Sequence, residues 1–332
     1  MSKTRIAING FGRIGRLAAR RALERDDLEL VAINDLADND TLTYLFKHDS
    51  VQGKYDRDVK LEGETLHVDG EAIRMTEHRD PMDCGWGELG VDIVLECTGV
   101  FLTRERAQAH FDSGAKKVLL SAPAKDADIK TVCMGVNNET LTAGETLISN
   151  ASCTTNCVAP PIKALHDAFT VKEGVINTIH AYTISQRLLD SPNKKIRLSR
   201  AAAVNIIPST TGAAKAVGKV IPELNGKLNG LAVRVPTPTG SITDITLTFD
   251  NDPTVEQAHK VLAEYAAKHP DVMWFAEEPL VSTDIIGTTF SSVVDGLMTM
   301  KMGKMLKLLA WYDNEAGYAT RIVDLAEYVA TL

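Results

Sequence analysis

The chain has 332 residues, 44% of them hydrophobic and 24% charged, with a formal net charge of −8. That length calls for two domains of ordinary globular composition, and an acidic balance unbroken by any long basic tract argues against a dedicated nucleic-acid-binding role. The five cysteines are an odd count that suggests no disulfide framework and fits a reducing compartment. With no signal peptide and no apolar run long enough to span a bilayer, a cytoplasmic setting is the expectation.

The N-terminal half alternates strand and helix. Arg5 to Asn9 is a short apolar run that ends in Gly10-Phe11-Gly12-Arg13-Ile14-Gly15. A helical pattern follows from Arg13 to Glu24, with Ile14, Leu17, Ala18 and Ala22 on one face. Leu28 to Asn34 reads as a second strand and ends at Asp35, 20 positions beyond Gly15. Strand, glycine-rich turn, helix, strand and acid form a dinucleotide-binding fingerprint. Gly10 permits the tight turn, Gly12 lets the backbone approach a pyrophosphate, and Gly15 lets the helix pack on the strand. Asp35 can accept from both ribose hydroxyls and would repel a 2′-phosphate, so NAD is preferred over NADP. Val91 to Cys97 is a further strand ending at Thr98-Gly99, Arg104 to Ser113 is a helix, and Lys117 to Leu120 is a strand ending at Ser121-Ala122-Pro123. Strand ends of such sheets face the ligand crevice, so Thr98, Gly99 and Ser121 are candidate cofactor neighbours.

At the midpoint an apolar run from Thr146 to Ile148 leads into Ser149-Asn150-Ala151-Ser152-Cys153-Thr154-Thr155-Asn156-Cys157. The run ends where a helical pattern begins, so Cys153 would feel the positive end of a helix dipole, which favours thiolate. A thiolate attacks aldehydes and acyl groups. The neighbouring hydroxyls and free N–H groups could hold an oxyanion or a phosphate. These residues alone leave open a structural cysteine on a buried turn. The helix is expected over Thr154 to Phe169, bent after its first turn by Pro160 and Pro161. Alternating segments then predict strands over Gly174–Thr183, Leu228–Val235, Ser241–Phe249 and Met305–Tyr312 in a mostly antiparallel sheet. A polar helix is predicted over Val255–Lys268 and a closing helix over Tyr318–Thr331.

The chain resembles the phosphorylating glyceraldehyde-3-phosphate dehydrogenases of the glycolytic type. The resemblance rests on Ile8-Asn9-Gly10-Phe11-Gly12-Arg13-Ile14-Gly15-Arg16, Glu96-Cys97-Thr98-Gly99-Val100-Phe101, the Ser149–Cys157 segment, His180-Ala181-Tyr182-Thr183, Ser209-Thr210-Thr211-Gly212-Ala213-Ala214-Lys215, Arg234-Val235-Pro236-Thr237-Pro238 and Trp311-Tyr312-Asp313-Asn314-Glu315. It implies that Cys153 attacks the aldehyde carbon, and that His180 takes the proton from the resulting hemithioacetal as hydride leaves for the nicotinamide. As an imidazolium, His180 would also lower the thiol pKa. The resemblance places Thr183 and Arg234 at the substrate phosphate, and Ser152, Thr154, Thr211 and Gly212 at the attacking inorganic phosphate. Asn9, Gly10, Gly12, Arg13, Ile14, Asp35, Arg79, Ser121 and Asn314 would hold NAD, and no metal is called for. A near relative acting on erythrose 4-phosphate and a non-catalytic Rossmann binding protein are the alternatives.

The implied architecture is α/β. A doubly wound Rossmann NAD domain spans 1–151, and an α+β catalytic domain with a mostly antiparallel sheet spans 152–316. A C-terminal helix, 317–332, returns to the NAD domain. Relatives are homotetramers, and the stretch from Tyr182 to Ala203 resembles the family's interface loop. Leu189-Asp190-Ser191-Pro192 retains the leucine and proline that accompany NAD preference. Three positions depart from the family pattern: Ser185 where many members carry Asp, Leu198 where many carry the second of two arginines, and Ala316 where a tryptophan is usual. Leucine donates nothing, so the attacking-phosphate site has lost a charge unless Arg197 swings in.

Overall fold

The computed structural model describes residues 3–332. The chain forms two compact units: one of residues 3–132, 138–151 and 319–332, the other of 133–137 and 152–318.

In the first unit the strands are β1 (Thr4–Asn9), β2 (Leu28–Asn34), β3 (Val59–Glu62), β4 (Thr65–Val68), β5 (Glu71–Thr76), β6 (Ile93–Glu96), β7 (Lys117–Leu120), β8 (Lys130–Thr131) and β9 (Leu147–Ser149). They pair in the order β3-β4-β5-β2-β1-β6-β7-β9-β8. From β5 to β8 every pairing is parallel, while β3 and β4 add antiparallel at one edge. Parallel strands are covered on both faces, which explains why β1, β2 and β6 read as continuous apolar runs rather than alternating ones. The helices here are α1 (Arg13–Ala22), α2 (Asn39–Lys47) and α3 (Arg104–Asp112). The strand order diverges on either side of β1, so β1 and β6 form the switch point of a doubly wound sheet. Ala7, Val31, Val94, Val118, Leu120 and Trp86 pack in the core beneath it.

The second unit carries α4 (Cys153–Phe169), β10 (Val171–Ala181), β11 (Ile207–Thr210), α5 (Ala213–Val220), β12 (Leu228–Val235), β13 (Ser241–Phe249), α6 (Val255–Lys268), β14 (Met273–Ala276), β15 (Ser292–Met302) and β16 (Met305–Tyr312). Its strands run β11-β12-β10-β13-β16-β15-β14. Four pairings are antiparallel, whereas β10/β12 and β14/β15 are parallel. α4 packs on α5, α6 and the sheet. The last helix, α7 (Ala316–Ala330), begins in this unit, and its residues from Ala319 onward belong to the first.

Pro160 and Pro161 lie inside α4, which stays helical from Cys153 to Phe169. Lacking N–H groups, they deprive the carbonyls of Asn156 and Cys157 of their helical donors. Both prolines are buried, and packing holds the helix together across them. α1 ends at Ala22, two residues before the expected Glu24.

Candidate active site

The glycine-rich turn connects β1 to α1. Gly10 has φ +95°, a conformation open to glycine, and a Cβ there would lie 2.7 Å from the Thr98 nitrogen. A Cβ on Gly15 would sit 2.0 Å from the Gly10 carbonyl oxygen, so helix and turn could not meet as they do. A Cβ on Gly12 would meet nothing within 4 Å. That open face is where a pyrophosphate can approach backbone N–H groups at the start of α1. Asp35 follows β2 and accepts from the Phe11 N–H at 2.6 Å and the Ala37 N–H at 3.0 Å. The acid is thereby locked beside the turn it serves. These features fit a dinucleotide.

Asn9 sits deeper than a cofactor contact. It is buried, its amide donates to Glu96 Oε2 at 2.6 Å, and its oxygen accepts from Asn34 at 2.8 Å. Its side chain therefore braces the turn. Arg13 pairs with Asp49, Ser121 closes β7 with its N–H on the Glu96 carbonyl at 2.9 Å, Ile14 is half-buried and Arg79 is exposed. In the second unit, Asn314 Oδ1 accepts from Ser241 Oγ at 2.8 Å and Thr239 Oγ1 at 3.3 Å. With the oxygen committed, a ligand would meet its Nδ2.

The thiol stands at the start of α4. Ser152 caps this helix, accepting from the Thr155 N–H at 3.1 Å. Ala151, just before it, is held at φ +56°, an uncommon conformation for a non-glycine residue that aims the cap. Cys153 Sγ lies 3.5 Å from His180 Nε2, near the end of β10. Arg234 pairs in register with His180 across the parallel β10/β12 ladder, so the two side chains lie side by side. Arg234 Nη1 is 2.7 Å from His180 Nδ1 and 3.0 Å from the Ala181 carbonyl, while Nδ1 is also 2.7 Å from that carbonyl.

Burial pushes the Cys153 thiol up on balance, while the Arg234 charge and hydrogen bonds from Thr154 and the backbone N–H groups pull it part of the way back. Burial, then the Arg234 charge, push the His180 imidazole down to about 3. Both causes oppose the imidazolium that the resemblance implies, and Arg234 is a second cation within reach of the thiol. The contrast with the other cysteines is instructive. Burial drives Cys84, Cys97 and Cys133 up to about 12 with no arginine of comparable reach at Cys97 or Cys133.

The hydroxyl of Thr154 turns inward, 2.9 Å from Tyr312 Oη, which also meets Thr178 Oγ1 at 2.9 Å. A phosphate would meet Thr154 through its N–H. Tyr312 also sets its ring edge-on to His180 with centroids 5.9 Å apart. The Trp311–Glu315 motif assigns it no role by itself. Only the register of β16 against β13 reveals that it braces both Cys153's helix and His180.

The hydroxyl groups that the resemblance assigns to phosphate are held by local hydrogen bonds. Thr183 Oγ1 is 2.9 Å from Ser185 Oγ, so Ser185 orients Thr183 without a carboxylate's charge. Thr211 Oγ1 accepts from the Ala213 N–H at 3.2 Å, and Gly212 caps α5. Leu198 is buried and points no donor there, but Lys195 Nζ reaches to 3.5 Å from Thr210 Oγ1. Ala316 is buried at the start of α7, where its N–H donates to Asp313 at 3.0 Å.

A glycine-rich turn on a doubly wound sheet, in a chain that also sets a thiol beside an imidazole, defines a nicotinamide-dependent dehydrogenase that works through a cysteine. Family models described as the glyceraldehyde 3-phosphate dehydrogenase NAD binding domain and C-terminal domain match residues 4–104 and 152–314. The chain belongs to the glyceraldehyde-3-phosphate dehydrogenase family. It is 51% identical over 330 residues to a glyceraldehyde-3-phosphate dehydrogenase of Geobacillus stearothermophilus, covering 98% of each chain. It is 52% identical over 329 residues to that of Priestia megaterium, again covering 98% of each. Streptomyces coelicolor supplies a third relative, 49% identical over 331 residues with the same coverage. No helix among the described residues is long and apolar enough to cross a membrane.

Proposed function

We propose that the chain oxidises glyceraldehyde 3-phosphate to 1,3-bisphosphoglycerate with NAD and inorganic phosphate, as a step of glycolysis. The observation that carries this reading is the 3.5 Å approach of Cys153 Sγ to His180 Nε2 at the N-terminus of α4. Cys153 adds to the aldehyde carbon as its proton passes to the new hydroxyl, forming a hemithioacetal. N–H groups at the helix start stabilise the oxygen as charge develops on it. His180 Nε2 then takes the hydroxyl proton. NAD, when bound, accepts the hydride released at that carbon. The thioester left on Cys153 is attacked by inorganic phosphate; the C–S bond breaks and the acyl phosphate departs.

Thr183 and Arg234 are suited to the substrate phosphate. Ser152, Thr211, Gly212 and the Thr154 N–H are suited to the attacking phosphate. Gly10, Gly12, Arg13, Ile14, Asp35, Arg79 and Ser121 would hold the cofactor, with Asn314 at the carboxamide. In this reading residues 1–151 serve NAD and 152–316 serve catalysis. A homotetramer in the cytoplasm is the proposed setting, in keeping with Ile184, Leu188, Leu189 and Ile196 standing exposed along the 182–203 stretch.

The test is NADH production from glyceraldehyde 3-phosphate, with and without inorganic phosphate, beside Cys153→Ser and Leu198→Arg. Phosphate-dependent turnover that vanishes in Cys153→Ser supports the reading. Turnover indifferent to phosphate, or seen only with erythrose 4-phosphate, overturns it.

A further inference from the structure

Thr239, Ser241, Asp313 and Asn314 form one buried hydrogen-bonded group where β13 begins and β16 ends, and the protons it holds decide how the Asn314 amide is turned. Gly240, at φ +82°, brings the chain into β13, and the register of β13 against β16 sets Ser241 opposite Tyr312, two residues before Asn314. The Thr239 hydroxyl lies 2.9 Å from Asp313 Oδ1 and 3.3 Å from Asn314 Oδ1. It has one proton to give, and the carboxylate is the nearer and stronger acceptor. The Ser241 hydroxyl accepts from the Ala181 N–H at 3.1 Å and donates to Asn314 Oδ1 at 2.8 Å. Ser241 is fully buried, and among the described residues Asn314 Oδ1 is the acceptor its proton reaches. With the amide reversed, Thr239 could still accept from Nδ2, but the Ser241 proton would face a donor and go unmatched. The orientation of Asn314 thus hangs on a single hydroxyl proton.

We infer that Ser241 is a positioning residue that holds Asn314 with Nδ2 outward, so that the site offers a donor to the cofactor's pyridine substituent and selects one that accepts. This deepens the proposed function and rests on its placement of Asn314 at the carboxamide. A carboxamide carries an acceptor and two N–H donors and can turn either to Asn314, whereas a 3-acetyl group carries the acceptor alone. Without Ser241 the reversed amide is the better arrangement. Nδ2 then donates to Thr239 Oγ1, the Thr239 proton stays on Asp313, and Oδ1 faces the cofactor. NAD adapts by turning its N–H toward Oδ1, but an acetyl analogue sets oxygen against oxygen. The same hydroxyl joins Asn314 to the N–H of Ala181, the residue after His180, so the group that orients the cofactor and the strand that carries the base share one anchor.

The test is calorimetric titration of the protein with NAD and with its 3-acetylpyridine analogue, which needs no turnover. Ser241→Ala should weaken the analogue relative to NAD by about three- to tenfold against the wild-type ratio, as the loss of one ordinary hydrogen bond does. A purely structural defect would weaken both dinucleotides alike and leave the ratio unmoved. Ser241→Thr keeps the hydroxyl and should preserve the wild-type ratio. Ser241→Ala also leaves the Ala181 N–H without its acceptor, so Ser241→Cys, close in volume and weaker in both roles, guards against a folding failure; its shift has the same direction and a smaller size. An unchanged ratio in Ser241→Ala and Ser241→Cys, or a shift in Ser241→Thr as large as in Ser241→Ala, overturns the inference. NAD affinity unchanged by Asn314→Ala would overturn the placement of Asn314 and the inference with it. A wild-type protein that makes no NADH from glyceraldehyde 3-phosphate would instead overturn the functional reading, leaving the titration ratios to judge Ser241.

Discussion

Glu96 closes β6 with a fully buried carboxylate, and four donors converge on it. Oε2 accepts from Asn9 Nδ2 at 2.6 Å and meets His110 Nε2 at 3.1 Å; Oε1 accepts from the Thr98 N–H at 2.8 Å and from the Thr98 hydroxyl. Trp86 Nε1 lies 3.2 Å from His110 Nδ1 and donates to it, which places the imidazole proton on Nε2, aimed at Glu96. Glu96→Gln keeps the volume and one acceptor but turns an NH₂ toward either Asn9 and His110 or Thr98. Asn9 cannot flip without losing its contact with Asn34 at 2.8 Å, and His110 cannot change tautomer without losing Trp86. Two buried donors are left facing a donor, at roughly 1–3 kcal/mol each. With partial relaxation the substitution should cost about 3–5 kcal/mol. In a domain of this size that lowers the melting temperature by roughly 10 °C. Differential scanning calorimetry of wild type, Glu96→Gln and Glu96→Ala measures it, and NAD titration follows the turn that the network supports. A Glu96→Gln protein within about 1 kcal/mol of wild type would refute the claim that this carboxylate organises the switch point.

The glycines of the turn should separate cleanly. Gly15→Ala drives a Cβ to 2.0 Å from the Gly10 oxygen and lowers stability, whereas Gly12→Ala leaves melting nearly unchanged and weakens NAD binding, both measured by calorimetry and titration. Iodoacetamide near pH 8 should alkylate Cys153 far faster than Cys84, Cys97 or Cys133, which burial holds up at about 12, and peptide mapping reads the sites. His180→Asn should lower kcat by roughly 10²–10⁴-fold, as removal of a general base does. His180 also predicts a pH dependence. Its folded pKa of about 3 lies below the unfolded value near 6.5, so the unfolded chain binds the extra proton between them. Its contribution is therefore complete above about pH 6.5 and is lost as pH falls toward 3, reaching about 2 kcal/mol by about pH 5. Urea midpoints across that range should flatten in His180→Asn.

Features set by nearest neighbours in the chain were legible in the sequence. β12, β13, β16 and α6 fall on the residues that alternation and helical spacing pick out, and the roles of Gly10, Gly12 and Gly15 follow from the turn. β15 escaped because its first half, Ser292–Gly296, is buried on both faces and its second half is largely exposed, so no period of two survives. The β3–β4–β5 ribbon and α2 were passed over: their strands are short, and α2 is announced mainly by Asp38 capping the Thr41 N–H. In the site, the reach of Lys195 to Thr210, the inward turn of Thr154 and the bracing by Tyr312 depend on which strands become neighbours, and no local pattern carries that.

The same dependence brings a second charge to bear on the thiol. Reading His180 as an imidazolium treats cysteine and histidine as an isolated pair, in which proton transfer creates opposite charges that attract. The β10/β12 register adds a guanidinium on the far side of the ring, and that charge repels a second cation at His180 while attracting a thiolate at Cys153. One arginine thus shares the electrostatic task expected of the imidazolium and favours a neutral imidazole. A neutral imidazole suits what the reaction demands next, since the hemithioacetal must lose a proton as it loses hydride, and an imidazolium has no lone pair to receive it. Separating the fixed charge from the titrating base lets the site favour thiolate and still keep a base.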